Sequence, residues 1–471
     1  MSLTEQQIRQ IVEDTVKNIA GAPMTTEAAA GGKWLCDTME EAIASAKAAQ
    51  QQLIAMPLDK RGKLIDAMRR AAMENVQYLS ELAHNETGYG KTEHKVLKNK
   101  LAIEKTPGIE DLTADAKSGD YGLTLVERAP FGVIGAITPS TNPTSTVINN
   151  SISMISAGNA VVYNPHPAAK KSSTETMRIL NEAIVAAGGP ATLICTVKQP
   201  TLESGKALME HKDIPLLAIT GGEAVVHVAM HTGKKVIAAG PGNPPVIVDD
   251  TAIIKQAAKD IVDGASFDNN VLCIAEKEVF VFGSVADMLM SEMQKHGAFK
   301  VSGTDIDKII KTVLVQKDGK YVVNRNYVGK DATKILSDSG VSYTGSPRLV
   351  IADVDENHPF VTVEMLMPVL GIVRVQNDEI VTAIQMAIKA ENGCKHTAMI
   401  HSQNVSHLSM AAKAMNTTIF VKNAPSYAGL GFGGEGFTTL TIATPTGEGL
   451  TSARTFTRVR RCVLYGNFRI V

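Results

Sequence analysis

Cys273 is the residue of this 471-residue chain whose type and neighbours best suit covalent chemistry on a carbonyl group. It ends the segment Ser266-Phe-Asp-Asn-Asn-Val-Leu-Cys273, which predicts a polar loop between a helix and a strand. A thiolate exposed on such a loop can attack a carbonyl carbon. Most single cysteines are inert buried thiols, so the residue alone leaves a structural role open.

Asn142 offers a second group that carbonyl chemistry needs. It lies in Thr138-Pro-Ser-Thr-Asn142-Pro143, after a predicted apolar strand that ends at Ile137. An amide N–H on a loop above the strand ends can stabilise the oxyanion that forms when a nucleophile attacks a carbonyl. An Asn-Pro turn would explain the residue without chemistry, but its presence beside Cys273 in the same chain favours a catalytic role.

A pair of glycines could hold a phosphate group. Gly221 and Gly222 stand between a predicted strand and a predicted helix, where a bare backbone lets a phosphate approach the helix N-terminus. Ordinary turn glycines explain the same pair. The segment 431–436 matches the letters GxGxxG, but a strand pattern follows it where the dinucleotide fingerprint requires a helix, so we reject it as a phosphate loop.

The cysteines and histidines predict neither a disulfide framework nor a metal site. The five cysteines are widely spaced and include no CxxC pair. His227 and His231 lie four apart on a predicted helix, but no acidic third ligand accompanies them in a recognisable pattern. We therefore expect no bound metal and a reducing compartment.

Composition excludes several classes of protein. Lys and Arg total 47 against 48 Asp and Glu, without the basic excess expected of a nucleic-acid binder. No stretch reaches the roughly 18 uncharged apolar residues of a membrane span. Charged residues near the N-terminus, such as Arg9 and Glu13, interrupt any signal peptide. The sequence predicts a cytoplasmic globular protein without nucleic-acid or membrane partners.

Hydrophobic periodicity predicts two α/β units. From Gly132 to Ala238, short apolar strands alternate with helices of about 10–15 residues, which is the pattern of a doubly wound parallel sheet. A second alternating stretch begins at Pro245. Residues 459–471 have a strand-like pattern with an apolar end, which would be an association-prone edge in a monomer.

Residues 3–19 predict an amphipathic helix that stands apart from the rest. Apolar residues including Ile8, Ile11 and Val16 form one stripe, and a linker of small and polar residues follows to Gly32. The helix could dock on its own domain, or it could lay its stripe in a groove of a partner protein. The pattern alone favours neither.

From about Thr38 to Thr457 the sequence resembles the aldehyde dehydrogenase superfamily. Cys273 falls where the family has its nucleophile. The other runs that carry the resemblance are APFGVIGAITPSTNP (129–143), AGNAVV (157–162), ITGG (219–222) and Glu364 with Pro368-Val369. The resemblance implies two doubly wound Rossmann-type domains plus a small β element for oligomerisation.

The same resemblance divides the chain. Residues 1–32 would be an N-terminal targeting helix and linker, and residues 33–240 an NAD-binding domain, of which 120–130 join the oligomerisation element. Residues 241–425 would form the catalytic domain that carries the nucleophile. Residues 426–471 would be a return segment with a C-terminal oligomerisation strand.

Departures from the family pattern are informative. Hydrolytic members carry a general-base glutamate where this chain has Ala239, and the lysine that binds the adenosine ribose is replaced by Asn164. The helix glycine after the phosphate turn is Val226. With AAGPGNPP (238–245), VYNPHP (162–167) and IATPTGEGLTSARTFTR (442–458), these departures make the chain similar to the CoA-acylating aldehyde dehydrogenases, particularly those of bacterial microcompartments.

The resemblance implies oxidation of a short-chain aldehyde to an acyl-CoA with NAD. Cys273 would attack the aldehyde, Asn142 and the Cys273 N–H would hold the oxyanion, and CoA would take the acyl group, since Ala239 provides no base to activate water. NAD is expected over NADP because Asn164 and His166 offer little positive charge to a 2′-phosphate. The cofactor-binding residues implied are Thr138, Pro139, Ser140, Thr141, Asn164, Pro165, His166, Gly221, Gly222, Gly240, Glu364 and Pro368.

The resemblance also implies partners and a location. The substrates would be CoA and either propionaldehyde or acetaldehyde, and the enzyme would be a homodimer or homotetramer. Residues 1–19 would bind a shell protein and so place the enzyme in the lumen of a bacterial microcompartment. The alternatives are a hydrolytic aldehyde dehydrogenase, which Ala239 argues against, and a non-catalytic shell adaptor, which would not need Cys273 and Asn142 together.

Overall fold

Short, buried, mostly aliphatic segments build two parallel sheets in a computed structural model, which describes residues 33–471. The helix expected over residues 3–19 and its linker lie outside the described residues. The strands are β1 (Leu35–Cys36), β2 (Asp115–Gly119), β3 (Gly122–Pro130), β4 (Val133–Thr138), β5 (Ala160–Pro165), β6 (Ile194–Val197), β7 (Leu216–Thr220), β8 (Lys235–Ala239), β9 (Pro245–Val248), β10 (Glu278–Phe282), β11 (Ala298–Val301), β12 (Leu314–Lys317), β13 (Lys320–Val323), β14 (Leu349–Asp353), β15 (Val369–Val375), β16 (Thr397–His401), β17 (Ile419–Lys422), β18 (Ile442–Ala443), β19 (Gly449–Leu450) and β20 (Thr457–Tyr465).

Helices connect the strands and pack against them. The described α-helices are α1 (Met39–Ile54), α2 (Leu58–Glu74), α3 (Val76–Thr87), α4 (Thr92–Lys105), α5 (Pro143–Ser156), α6 (Lys170–Ala186), α7 (Leu202–Glu210), α8 (Glu223–Met230), α9 (Ile254–Ser266), α10 (Gly283–Lys295), α11 (Thr304–Val313), α12 (Ala332–Asp338), α13 (Pro359–Thr362), α14 (Ile380–Glu391) and α15 (Val405–Met415). Local signals set some of their starts. Thr38 and Glu41 form a capping box at α1, and Pro143 occupies the first turn of α5, where its missing N–H costs nothing.

The first sheet has the strand order β1-β6-β5-β4-β7-β8, with every neighbouring pair parallel. The chain places β5 and β6 on one side of β4, then crosses over and places β7 and β8 on the other side. The strand order therefore reverses beside β4. The carboxyl ends of strands on the two sides of such a reversal form a crevice that binds ligands.

The second sheet has the order β11-β14-β15-β10-β9-β16-β17 and is also parallel throughout. Its central strand β10 shows how both faces are buried. Val279 and Val281 join one apolar cluster, while Phe280 and Phe282 join another on the opposite face. The two sheets confirm the α/β class predicted from the sequence.

The C-terminal strand pairs within its own chain. β20 runs antiparallel to β3 from Thr457↔Pro130 to Tyr465↔Gly122, in a small sheet ordered β2-β3-β20. The sequence pattern predicts a strand as far as Val471, whereas β20 ends at Tyr465. The role of this tail as an oligomerisation strand stays a prediction. A free β3 edge lies within the same chain, and at Gly122, where a Cβ would overlap the Leu464 carbonyl, glycine lets the strands approach.

The small sheet still exposes apolar surface. Val459, Val463, Leu464 and Tyr465 of β20 have between 46% and 79% of their surface exposed. Monomeric proteins rarely leave such contiguous apolar patches uncovered, and open sheet edges favour association. None of the helices within residues 33–471 combines the length and apolar character that a membrane crossing requires.

Removal of β20 tests whether copies of the chain meet at this sheet. A chain that ends at Thr457 should form smaller oligomers than the full chain, because it loses the exposed apolar strand. A chain that ends at Tyr465 is the matched control, since it lacks residues 466–471 but keeps all of β20. Light scattering measures both, and an unchanged size after removal of β20 would rule the sheet out as the contact.

Candidate active site

The carboxyl ends of β4, β5, β7 and β8 bring most of the predicted cofactor-binding residues to one edge of the first sheet. Thr138 ends β4 and Pro165 ends β5, and the two residues are partners in the ladder. The turns after β7 and β8 follow at the same edge, because all of these strands are parallel. The residues brought to this edge are Thr138, Pro139, Ser140, Thr141, Asn164, Pro165, His166, Gly221, Gly222 and Gly240.

The turn after β7 has room for a phosphate group. Gly222 is the N-cap of α8, and a Cβ added there would meet nothing within 4 Å. Backbone N–H groups at such a helix N-terminus attract anions. A cavity between the C-terminal parts of α7 and α8, lined by Met209, His227 and Val228 among others, lies away from this turn. The open turn at Gly222 fits a phosphate of a dinucleotide.

Asn164 is engaged in the fold rather than offered to a ligand. Its Oδ1 accepts a hydrogen bond from Ser204 Oγ at 2.5 Å, and its Nδ2 donates to the Thr201 carbonyl at 3.2 Å. Near it, burial and then the positive charge of Arg325 lower the pKa of His166. Sequence reasoning missed Arg325. Its positive charge acts on His166, whereas the neutral Asn164 replaces the lysine of the family pattern. The preference for NAD over NADP therefore stays a prediction, with Arg325 as a residue that would weaken it.

Three consecutive left-handed residues shape the loop that carries Cys273. Asp268, Asn269 and Asn270 have φ angles of 48°, 53° and 65°. This conformation strains most non-glycine residues, and Asp and Asn adopt it most readily. Nδ2 groups of both asparagines donate to backbone carbonyls at 2.8 to 3.0 Å, which holds the loop in place. The run Asp-Asn-Asn is a sequence signal for this left-handed backbone, whereas the sequence analysis predicts only a polar loop there.

The side chain of Cys273 is half-buried in a turn just before β10 and packs against an apolar cluster. Burial, and then the negative charge of Glu364, raises the pKa of Cys273 to about 12, while the charges of Lys277 and Lys98 act in the opposite direction. At neutral pH the residue is therefore a thiol. This corrects the expectation of an exposed thiolate, and it means that a base must remove the proton before Cys273 can attack.

Gly242, in the segment after β8, lies close to Cys273, His396 and Glu364. A Cβ on Gly242 would lie 2.9 Å from both the Cys273 carbonyl oxygen and the His396 Cγ. The N–H of Gly242 donates to the carboxylate of Glu364. His396 is buried, its Nε2 has no hydrogen-bond partner among the described residues, and burial lowers its pKa to about 4. His396 is thus a neutral imidazole that approaches the same glycine as the Cys273 backbone, and no sequence pattern pointed to it.

Asn142 lies at the N-cap of α5, as the Asn-Pro pair suggested, but its side chain does not cap the helix. Its Oδ1 accepts a hydrogen bond from Lys98 Nζ at 2.6 Å. Lys98 in turn donates to the buried carboxylate of Asp268, and Lys95 donates to the same oxygen at 3.1 Å. Sequence reasoning missed both lysines, although their spacing of three residues places them on one face of α4.

A small apolar cavity adjoins this cluster. Its volume is about 10 Å³, and its lining includes Lys98 and Leu272, the residue before Cys273. The remaining lining is aliphatic or aromatic: Leu97, Leu101, Phe267, Tyr427, Leu430, Phe432 and Leu440. Such a lining suits the hydrocarbon end of a small substrate.

Within residues 33–471, no three His, Cys, Asp or Glu side chains converge as metal ligands would. His227 and His231 do come together, with ring centroids 4.2 Å apart. All five cysteines are free thiols. His227 lines the cavity between α7 and α8, so this pair belongs to the wall of that cavity.

Comparison with known proteins decides the family. The model of the aldehyde dehydrogenase family matches residues 16–447. The chain belongs to the aldehyde dehydrogenase family. The resemblance that the sequence motifs indicated is therefore confirmed.

Its relatives include CoA-acylating aldehyde dehydrogenases. The acetylating acetaldehyde dehydrogenase of Salmonella typhimurium is 47% identical over 100% of both chains. A propionaldehyde dehydrogenase from the fucose-utilisation microcompartment of Clostridium phytofermentans is 49% identical with a TM-score of 0.91, covering 93% of this chain and 100% of that one. The propionaldehyde dehydrogenase of Rhodopseudomonas palustris, solved with bound CoA and an acylated cysteine, is 47% identical with a TM-score of 0.89, covering 92% and 98%.

The resemblance places Ala239 where hydrolytic aldehyde dehydrogenases have their general base. Ala239 ends β8 beside Thr220 of β7, and only 6% of it is exposed. Glu364 is brought to the site through Gly242, as described above. Pro368 is buried. Its carbonyl oxygen accepts a hydrogen bond from the Val350 N–H at 2.9 Å, which is a contact within the second sheet.

Replacement of Cys273 tests the nucleophile. Cys273→Ala should abolish acyl-CoA formation while leaving the thermal melting temperature nearly unchanged, because a methyl group replaces a half-buried thiol without loss of a charged contact. NADH absorbance and thermal melting are the two measurements. The exposed Cys462 provides the matched control, and Cys462→Ala should retain full activity. Turnover above trace levels in folded Cys273→Ala would exclude Cys273 as nucleophile.

Proposed function

We propose that this aldehyde dehydrogenase converts a short-chain aldehyde and CoA to an acyl-CoA, with reduction of NAD. The observation that carries the proposal is the identity of two residues: the resemblance places Cys273 at the nucleophile position and Ala239 where hydrolytic members have a carboxylate. The relatives that form acyl-CoA products support it. A hydrolytic enzyme would need a base to activate water, whereas a thiol nucleophile needs less activation near neutral pH.

The described residues can perform the acylation half of this reaction. A base takes the proton of Cys273 as the thiol attacks. The Cys273 sulfur then forms a bond to the aldehyde carbon, and the carbonyl oxygen takes up negative charge. Asn142 and the Cys273 N–H hold that oxyanion. The residues at the edge of the first sheet would hold NAD+, which would accept the hydride from the aldehyde carbon.

Transfer to CoA completes the cycle. Re-formation of the carbonyl leaves the acyl group on Cys273 as a thioester. The thiol of CoA, which is a substrate, attacks this thioester after losing its proton to a base, and the Cys273 sulfur departs as the leaving group. This order is a ping-pong scheme with a covalent enzyme intermediate.

We propose a small aldehyde as the substrate. The cavity beside Leu272 is lined by apolar side chains apart from Lys98, which suits the hydrocarbon end of such a molecule. The relatives named above act on acetaldehyde or propionaldehyde.

Residues outside the described part carry the proposed partner and location. We propose that residues 1–19 bind a microcompartment shell protein and place a homo-oligomer of the enzyme in the lumen. Two observations support this proposal: the apolar stripe of residues 3–19, and the microcompartment origin of the Clostridium phytofermentans relative.

An assay across C2 to C4 aldehydes, with and without CoA, tests the function. NADH should accumulate to high yield only when CoA is present, and the C2 or C3 aldehyde should have the highest kcat/KM. Without CoA, NADH formation should stop after about one equivalent per subunit, because the acyl-enzyme accumulates. Sustained turnover without CoA, with free carboxylate as product, would establish the hydrolytic alternative, and no turnover with any aldehyde would favour the adaptor.

Deletion of residues 1–20 tests the targeting helix. The truncated enzyme should keep nearly the wild-type kcat/KM but lose co-purification with shells, because a short amphipathic helix contributes to binding only when its stripe finds a groove. Ile11→Glu places a charge on the stripe and should weaken the same association, while Glu13→Gln on the polar face is the matched control and should not. Loss of activity or solubility after the deletion would assign the helix to the packing of the enzyme itself.

A further inference from the structure

The buried ammonium group of Lys98 fixes the orientation of the Asn142 side-chain amide. Lys98 Nζ lies 2.6 Å from Asn142 Oδ1. A protonated amine can only donate hydrogen bonds, so the amide atom that faces it is the oxygen. The Nδ2 group therefore points to the other side. One of its hydrogens is donated to Thr141 Oγ1 at 3.2 Å, and no residue within 33–471 accepts the other.

Asp268 keeps Lys98 in this position. The Asp268 side chain has 0% of its surface exposed, and its carboxylate accepts hydrogen bonds from Lys98, from Lys95 at 3.1 Å and from the Lys91 backbone N–H at 2.8 Å. A buried charge without a partner costs several kcal/mol. Lys98 therefore stays between Asp268 and Asn142 rather than turning toward solvent.

Lys98 also acts on the nucleophile from the same place. It lines the apolar cavity together with Leu272, the residue before Cys273. Its positive charge and the Cys273 thiol interact electrostatically. Lys98 therefore contacts Asn142 directly, and its charge also acts on Cys273.

We propose that Lys98 is a positioning residue for the oxyanion of the reaction and acts through Asn142. A charge-assisted hydrogen bond to Oδ1 polarises the amide and makes its N–H groups stronger donors. When the aldehyde oxygen takes up negative charge, a donor that is already oriented stabilises it without a cost of reorganisation. This inference rests on the proposed aldehyde oxidation at Cys273.

Lys98→Met tests the inference directly. Met has a similar length, and Asp268 keeps its bonds to Lys95 and to the Lys91 N–H. The kcat for acyl-CoA formation should fall by up to about 10²–10³, the usual loss for one oxyanion donor. The KM for the aldehyde should change little, because the oxyanion exists only after attack. An unchanged kcat in the folded variant would overturn the inference.

Lys95→Met is the matched control. Lys95 lies on the same helix and donates to the same oxygen of Asp268, but it makes no hydrogen bond to Asn142. If Lys98 acts through Asn142, Lys95→Met should lower kcat far less than Lys98→Met does. Equal losses from the two substitutions would show that the cluster only supports the fold, and would overturn the inference.

A double-mutant cycle separates action through Asn142 from an independent effect. Asn142→Ala alone should lower kcat by about 10²–10³. In the Asn142→Ala background, Lys98→Met should add little further loss, because the group it acts through is gone. Losses that multiply in the double variant would overturn the inference.

Lys98→Gln provides a second variant for the same measurements. Its side-chain amide can donate to Asn142 Oδ1 without a charge, so kcat should lie between the wild type and Lys98→Met. If Lys98→Met does not fold, Lys98→Gln replaces it in the cycle. Failure of the proposed function would appear as a wild-type enzyme without CoA-dependent NADH formation. An active wild type with undiminished Lys98 variants would refute only the role of Lys98.

Discussion

The buried carboxylate of Asp268 joins helix α4 to the loop that presents Cys273. It binds two ammonium groups of α4 and the N–H before that helix, and the N–H of Asp268 itself donates to His94 Nδ1 at 2.8 Å. Because the carboxylate is fully buried, its charge depends on these donors for compensation, and loss of all of them would leave a charge that is costly to bury. Even the backbone of Gly90 is shaped by this group, since a Cβ there would overlap the Asp268 carboxylate. The left-handed loop and the Asn142 side chain are both held through this one interaction.

The segment between β8 and β9 couples the two sheets at the site. Gly242 approaches the backbone of Cys273 so closely that a side chain would not fit, and its N–H reaches Glu364. The next residue, Asn243, donates from Nδ2 to the carbonyls of Val361 and Ala390 at 2.9 and 3.0 Å. Ala239, the last residue of β8, directly precedes this segment. The resemblance places it where hydrolytic members of the family have their base.

Burial shapes the chemistry of Cys273 as much as its position does. The apolar surroundings that suit a small aldehyde raise the pKa of the thiol to about 12, and the charge of Glu364 acts in the same direction. The same low polarity lowers the pKa of His396 to about 4, so that the imidazole stays neutral. Burial therefore favours the uncharged form of both groups, and proton transfer from Cys273 to His396 would run against both pKa shifts. Lys277 and Lys98 oppose the rise at the thiol from two sides of the site.

The sequence by itself determined what depends on short-range pattern or on residue identity: the alternating strands and helices, Asn142 at the start of a helix, the glycines after β7, Cys273, and the missing base at Ala239. Only the tertiary structure showed that Lys98 reaches Asp268, 170 residues further along the chain, and so contacts Asn142. A lysine on a helix has the same pattern whether it faces water or an active site, and His396 gave no signal for the same reason. The protonation state of Cys273 and the pairing of β20 with β3 also required the structure, because burial and the availability of a free strand edge are properties of the assembled chain and not of any local segment.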